Sequence, residues 1–302
     1  MNQKNIKEYI RALDHISSFL KTLLDEENRI IPEPKDALSE LTELRMLSKS
    51  ELWPEAVPTG LICGETEEEK TSRASGIVEE FIGESLKDKS FLDFGCGEGH
   101  VPFVIASSQQ VIKAVGFDIK KEASWDSLKT KKLMLTNDWD EVEKASPFDV
   151  ILVNDVLDHT KNPQEALKKI QRIKRNETGK VVLRVHPWTS RHGTHLYKKL
   201  NRAYLHLVFS EEELLSMGLE GLPTLKVTEP ISAYKKMIKE AGFSILREET
   251  TTQPVEMFFT HTPEILRRIK SRWKNSEIAE FASGAVFPRE ALEIQFIDFT
   301  LI

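Results

Sequence analysis

Short β-prone runs alternating with helical stretches predict an α/β fold, a doubly wound and mostly parallel sheet with helices on both faces. Three observations carry this. Apolar runs recur at residues 90–94, 111–118, 132–136, 149–154 and 180–185, with helix-like segments between them. The first run ends in Asp93 and is followed by Gly95, Gly97 and Gly99 at alternate positions, then by a helical stretch from His100 to Ser108. The second run also ends in an acid, Asp118. In such sheets ligands bind at the carboxyl ends of the strands where strand order reverses, and Asp93, Asp118, Asp138 and Asn154 all fall at strand ends.

The elements follow in order. Ile6, Tyr9, Ile10, Leu13, Ile16, Leu20, Leu23 and Leu24 recur at helical spacing, and Pro32 and Pro34 end that helix. Residues 37–47 read as a second helix capped by Asp36. Residues 50–64, with Pro54, Pro58 and Gly60, read as a surface loop. Residues 1–65 are therefore expected to be an N-terminal helical cap, and residues 66–302 the main domain. Thr66 and Glu69 form a capping box, and Ile77, Val78, Phe81 and Ile82 give the helix after it an apolar face. Asn162, Pro163 and Glu165 supply the cap, the first helical position and the third of another helix. Residues 187–229 exceed what the minimal fold needs and are expected to close over a substrate; they include a capped helix from Ser210 to about Met217. Residues 243–249 read as strand six, and residues 261–302 as a C-terminal extension.

The glycine turn narrows the ligand. Glycines at this spacing let backbone approach a ligand and permit positive φ, and the helix that opens there presents free N–H groups. There is no GxxxxGK[ST], which excludes a P-loop. The dinucleotide pattern GxGxxG fails, because the third glycine comes one residue early and His100 fills the expected slot. An acid before the first glycine would repel a pyrophosphate, whereas Asp93 suits a cation such as an ammonium or sulfonium. Asp118 suits the two hydroxyls of a ribose. A ribose, a cationic amino-acid tail and no phosphate together describe S-adenosylmethionine.

At these residues the chain resembles the class I SAM-dependent methyltransferases of the small-molecule type. The Asp93–Gly99 loop, Asp118, the polar pair after strand three, the run Phe148-Asp149-Val150-Ile151-Leu152-Val153-Asn154-Asp155-Val156-Leu157-Asp158-His159, and Gly179 before strand five all follow that family's order. The resemblance covers roughly residues 75–250. It implies a Rossmann-like sheet of seven strands whose last is antiparallel. Residues 255–260 and 294–302 compete for that strand, and the β-prone ending Ile294, Phe296, Ile297, Phe299, Leu301 favours the second. It also implies cofactor roles: Asp93 near the methionine ammonium, Gly95, Gly97 and Gly99 along the ligand, Asp118 on the ribose, Ile119 on the adenine face, and Asp138 and Trp139 at the adenine amine. Cys96, between two of those glycines, reads as a small packing residue of the same loop and not as a nucleophile. Asn154 and Asp155 are expected beside the methyl-transfer point, and His159 matches a histidine common there. His195, in a glycine-containing segment with Arg191 and Tyr197, is the candidate general base. His186, His192 and His195 lack a carboxylate or thiolate nearby in sequence to complete a metal set, so no metal is expected.

Composition bounds the partners. No apolar run reaches membrane-spanning length, and no signal pattern opens the chain, so no membrane association is expected. The two cysteines, Cys63 and Cys96, fit a reducing cytoplasm. A net charge of −6 argues against a general nucleic-acid binder. Residues 168–202 nevertheless hold about eleven Lys or Arg and one acid, Glu177, and a second basic cluster runs from Arg267 to Lys274. These read first as solvated faces, second as a rim that steers an anionic small-molecule acceptor. An RNA acceptor is disfavoured, since Asn154-Asp155-Val156-Leu157 stands where nucleic-acid enzymes carry [DNS]PP[YFW]. The stripe on the first helix needs a partner, either the main domain or a second copy in a homodimer. A rival reading is a catalytically idle methyltransferase-like assembly protein, against which the intact Asp93, glycines and Asp118 speak.

Overall fold

A computed structural model describes residues 37–57, 64–193, 195–219, 231–253, 259, 262–274 and 292–302. The chain divides into two compact units, residues 1–50 and residues 51–302. In the first, the described element is helix α1, Ala37–Ser48; the helix expected over residues 6–24 lies outside the described residues.

The larger unit is built on a seven-stranded sheet. Its strands are β1 Ser90–Phe94, β2 Lys113–Phe117, β3 Leu133–Thr136, β4 Val150–Asn154, β5 Lys180–Val185, β6 Ile245–Thr252 and β7 Ile294–Leu301. The order is β3-β2-β1-β4-β5-β7-β6. Strands β1 to β5 pair in parallel, and β7 pairs antiparallel with both β5 and β6. The C-terminal run therefore takes the antiparallel slot. Its alternating burial explains why: Ile297, Phe299 and Leu301 enter the core while Asp298 and Thr300 face outward. Strand six begins two residues later than its sequence pattern suggests, because Phe243 is spent on the core beside Tyr234 and Ile238.

One face of the sheet packs helices Trp139–Ala145, Pro163–Ile173 and Ile231–Glu240 through Val142, Leu167, Ile170, Tyr234 and Ile238. The other packs α2, Glu67–Gly76 with its π-helical continuation Ile77–Ile82, and α3, His100–Ser108, through Val78, Ile82, Ile105 and Ala106. The Thr66/Glu69 capping box starts α2 as its residues require. A left-handed Gly83 ends the π-helical turn.

Segment 51–57 belongs to the larger unit. Trp53 donates its indole N–H to the Ala203 carbonyl at 2.9 Å and stacks on Phe209, and Asn201 Oδ1 accepts the N–H groups of Ala56 and Val57. The described part of the insert after β5 is a packed body: Ala203 to Phe209 are all buried. Helix Pro263–Lys274 secures it, since Arg268 reaches Glu213 and the Val208 carbonyl, and Arg272 reaches the His206 carbonyl. Several residues of the two expected basic faces are thus engaged within the fold. Arg175 pairs with Asp149, Lys180 with Glu84, and Arg184 with Asp298.

Candidate active site

The strand order reverses between β1 and β4, and the glycine turn sits at that point. Its shape follows from a few hydrogen bonds. The N–H groups of Gly95 and Cys96 both donate to the Phe117 carbonyl, at 2.7 and 2.9 Å, so the loop folds across the end of β2. Gly97 N–H donates to Asp118 Oδ2 at 2.9 Å, and Gly99, with φ of 84°, turns the chain into α3. A Cβ on Gly95 would lie 2.4 Å from Val156 Cγ2, so the crossing from β1 to the β4 exit needs glycine there. Gly97, with φ of 50°, has open space where its Cβ would be.

A cavity of about 260 Å³ opens above this turn, lined among others by Asp93, Gly95, Gly97, Asn154, Lys70 and Arg73. Asp93 is only 4% exposed, and burial first, then the Asp118 charge, push its pKa up to about 7. Asn154 Oδ1 is buried in the same crevice with no hydrogen-bond partner. A buried carboxylate and an orphaned amide oxygen sharing one cavity form an acceptor-only pair, which suits a cationic donor. Lys70 and Arg73, one turn apart on α2, line the mouth with positive charge; Lys70 pairs with Glu67 and Glu98, and Arg73 with Glu65. His100 contacts Glu67 at 2.9 Å and so ties α2 to the first turn of α3.

The other expected cofactor residues fall around this turn in different settings. Cys96 packs its sulfur toward Gly116, and burial drives its thiol pKa far upward, leaving an inert side chain. Ile119 is 85% exposed at the end of β2. Asp138 caps the helix that follows by accepting the Asp140 N–H at 2.9 Å. Trp139 meets Phe94 and Phe117 edge-on, with ring centroids 5.9 and 5.2 Å away. A second cavity of about 480 Å³, beside the end of β3, is lined by Trp125, Leu135, Thr136 and Asn137.

Beyond Asn154 the chain makes an abrupt turn. Asp155 adopts φ of 55°, a left-handed conformation uncommon outside glycine. Its Oδ1 lies 2.9 Å from His186 Nε2, at the exit of β5. His186 Nδ1 is 3.0 Å from the Gln295 carbonyl and 2.7 Å from His192 Nε2, and the two imidazoles meet edge-on at 4.1 Å. Burial pulls the His186 pKa down, but Asp155, the Gln295 carbonyl and Asp158 together outweigh it and hold it above the usual imidazole value. Among the described residues no group of three His, Cys, Asp or Glu is arranged to hold a metal. His159 is partly exposed, its Nε2 3.9 Å from Asp158 Oδ2. His195 opens the 3-10 turn His195–Lys198, and its side chain lies outside the described residues.

Sequence reading missed Lys70 and Arg73, although their spacing on the helix leading into the glycine strand was a usable signal. It also set His186 and His192 aside for want of a carboxylate nearby in sequence; the fold supplies Asp155 from another strand.

Fold and site together define a doubly wound domain with an acid-ended glycine turn at its switch point. A family model described as a methyltransferase domain matches residues 67–248. The chain belongs to this family, the class I SAM-dependent methyltransferases, enzymes whose cofactor is S-adenosylmethionine. No curated protein matches the sequence. Among solved structures the chain is similar to coclaurine N-methyltransferase bound to N-methylheliamine and S-adenosylhomocysteine, at 14% identity over 96% of this chain and 95% of that one, TM-score 0.47. It is similar to Haemonchus contortus phosphoethanolamine N-methyltransferase 2 in complex with S-adenosyl-L-methionine, at 16% identity over 76% of this chain and 52% of that one, TM-score 0.45. A mycolic acid cyclopropane synthase is similar at 14% identity, covering 75% of this chain and 83% of that one, TM-score 0.45. No described helix is long and apolar enough to cross a membrane.

Proposed function

We propose that this protein transfers the methyl group of S-adenosylmethionine to an oxygen or nitrogen atom of a small-molecule acceptor, in the cytoplasm. The observation that carries the reading is the pairing of buried Asp93 with the orphaned Asn154 Oδ1 in one cavity over the glycine turn. The residues present fit the cofactor. Asp93 and Asn154 would receive the α-ammonium, and Lys70 and Arg73 would face the carboxylate. Asp118 would exchange its bond to Gly97 for the ribose hydroxyls, and Ile119, Asp138 and Trp139 would border the adenine. Once bound, the cofactor supplies an activated methyl on a positively charged sulfur.

The remaining work belongs to the chain. It holds the acceptor in line beyond Asn154 and excludes water, an orientation effect that supplies roughly 7–11 kcal/mol. Asp155, His159 and His195 stand at or beside the β4 exit and the insert as the groups assigned to the acceptor's proton. A base of this kind adds about 10²–10⁴-fold where the acceptor is a hydroxyl.

Calorimetry with S-adenosylhomocysteine, with NAD as control, tests the cofactor half. A tritiated-methyl screen over a metabolite extract, followed by mass spectrometry of the labelled product, tests the acceptor half. Binding of S-adenosylhomocysteine without label transfer to any small molecule would favour an idle assembly role or an RNA acceptor.

A further inference from the structure

The two cations that line the mouth of the cofactor cavity, Lys70 and Arg73, already hold acids of the chain. Arg73 gives Nε and Nη2 to the Glu65 carboxylate at 2.7 to 2.9 Å. A guanidinium carries five donors, so this pairing leaves the Nη1 end of the fork for a ligand. Lys70 has no such spare edge. Its Nζ donates to Glu98 Oε1 at 2.9 Å and to Glu67 Oε1 at 3.1 Å. Both acids hold its pKa above the ordinary lysine value, Glu98 foremost. One ammonium thus stands between two carboxylates at the place where a ligand's carboxylate would have to be met.

The two acids on Lys70 are held differently. Glu67 shares its helix, and its second oxygen lies 2.9 Å from His100 Nε2, so it is tied at both ends. Glu98 comes from the glycine turn, between Gly97 and Gly99, and lines the cavity itself. Its side chain is 45% exposed and reaches across the mouth to α2. Its backbone is fixed from behind: the Ser124 hydroxyl donates to the Glu98 carbonyl and the Trp125 indole N–H to the Gly97 carbonyl, both at 2.8 Å. The Glu98 carboxylate can therefore swing off Lys70 toward solvent while the turn keeps its shape. An ion pair this exposed is weak enough to exchange.

We propose that Glu98 competes with the cofactor's carboxylate for Lys70 and gives way when the ligand binds. The inference rests on the reading above that Lys70 faces that carboxylate. A third carboxylate around one ammonium would gather two uncompensated negative charges, so one of the chain's own acids has to leave. His100 retains Glu67, and Glu98 is the one released. Every ligand with the amino-acid tail, donor and product alike, binds more weakly by the cost of breaking the Glu98 bond. A nucleoside without that tail is unaffected. Glu98 therefore shortens the time that S-adenosylhomocysteine stays on the protein, since a weaker contact shows chiefly in the dissociation rate.

The test is calorimetry on the full chain with S-adenosylhomocysteine and with methylthioadenosine, the same thionucleoside without the amino-acid tail. Glu98→Gln, Glu98→Ser, Lys70→Met and the double variant Lys70→Met/Glu98→Gln are compared with the native chain, and a thermal scan checks that each is folded. Both Glu98 variants are expected to bind S-adenosylhomocysteine roughly two- to fivefold tighter, with methylthioadenosine unchanged. Lys70→Met is expected to bind S-adenosylhomocysteine more weakly, and in that background Glu98→Gln should gain nothing. A Glu98 that merely shaped the turn would, when replaced, weaken both ligands, and that result would overturn the proposal. So would native affinity in both Glu98 variants, or a gain that persists without Lys70. Unchanged S-adenosylhomocysteine binding by Lys70→Met would instead overturn the placing of Lys70 on the carboxylate, and the proposal with it.

Discussion

Asp93 is the group through which pH is expected to govern cofactor affinity. Its carboxyl is 4% exposed and carries a pKa pushed up to about 7 by burial and by Asp118. A rise of about three units from the ordinary value corresponds to about 4 kcal/mol of penalty on the ionised form. The folded pKa lies above the unfolded one, so this group's contribution to stability is greatest below about pH 4 and declines as pH rises to about 7, then levels off. A ligand ammonium reverses the preference, because it favours the carboxylate. Binding below pH 7 therefore releases a proton, and affinity for S-adenosylhomocysteine is expected to fall roughly tenfold between about pH 8 and about pH 6. Calorimetry at about pH 6.5 in buffers of different ionisation enthalpy should show release of roughly three-quarters of a proton. Asp93→Asn should bind more weakly at high pH and show neither the pH dependence nor the proton release. A flat affinity across this range in the native chain, with heats independent of buffer, would refute the assignment of Asp93 to the ligand's cation.

Three further outcomes are expected. Asp118→Ala removes the acceptor of the Gly97 N–H and the group assigned to the ribose, and should weaken S-adenosylhomocysteine binding by about 1.5–3 kcal/mol, measured by calorimetry. Gly95→Ala drives a Cβ into Val156 on top of its left-handed strain and should destabilise the fold by about 1–3 kcal/mol in denaturant titration, whereas Gly97→Ala meets no atom, carries only the strain of its φ of 50°, about 1 kcal/mol, and should be the less destabilising of the two; equal destabilisation would contradict this account of the loop. Arg184→Lys gives up both bonds to Asp298 and the stacking between Phe81 and Phe296, whose ring centroids lie 4.4 and 4.0 Å from the guanidinium, and should lower the melting temperature in a thermal scan without changing cofactor affinity.

The sequence by itself determined the strands, most of the helices, the glycine turn and the family. Those features are written locally: apolar runs of strand length, a capping box at Thr66, an Asn cap before Pro163, and glycines at positions where the backbone turns left-handed. It also favoured the C-terminal run over residues 255–260 as the antiparallel strand, because alternation at Ile297, Phe299 and Leu301 is itself a local signal. Only the tertiary structure decided what depends on meeting through space. Arg184 reads in sequence as one member of a basic stretch, yet it is held between two aromatic rings and a carboxylate from the far end of the chain. Segment 51–57 reads as a loose loop, and Trp53 anchors it 150 residues away on the Ala203 carbonyl. His186 and His192 read as histidines lacking an acid, until β4 and β5 lie side by side and bring Asp155 within 2.9 Å. Periodicity along a chain encodes which residues a single element buries. Which side chains then face one another depends on sheet order and on the packing of the whole core, and no local pattern carries that information.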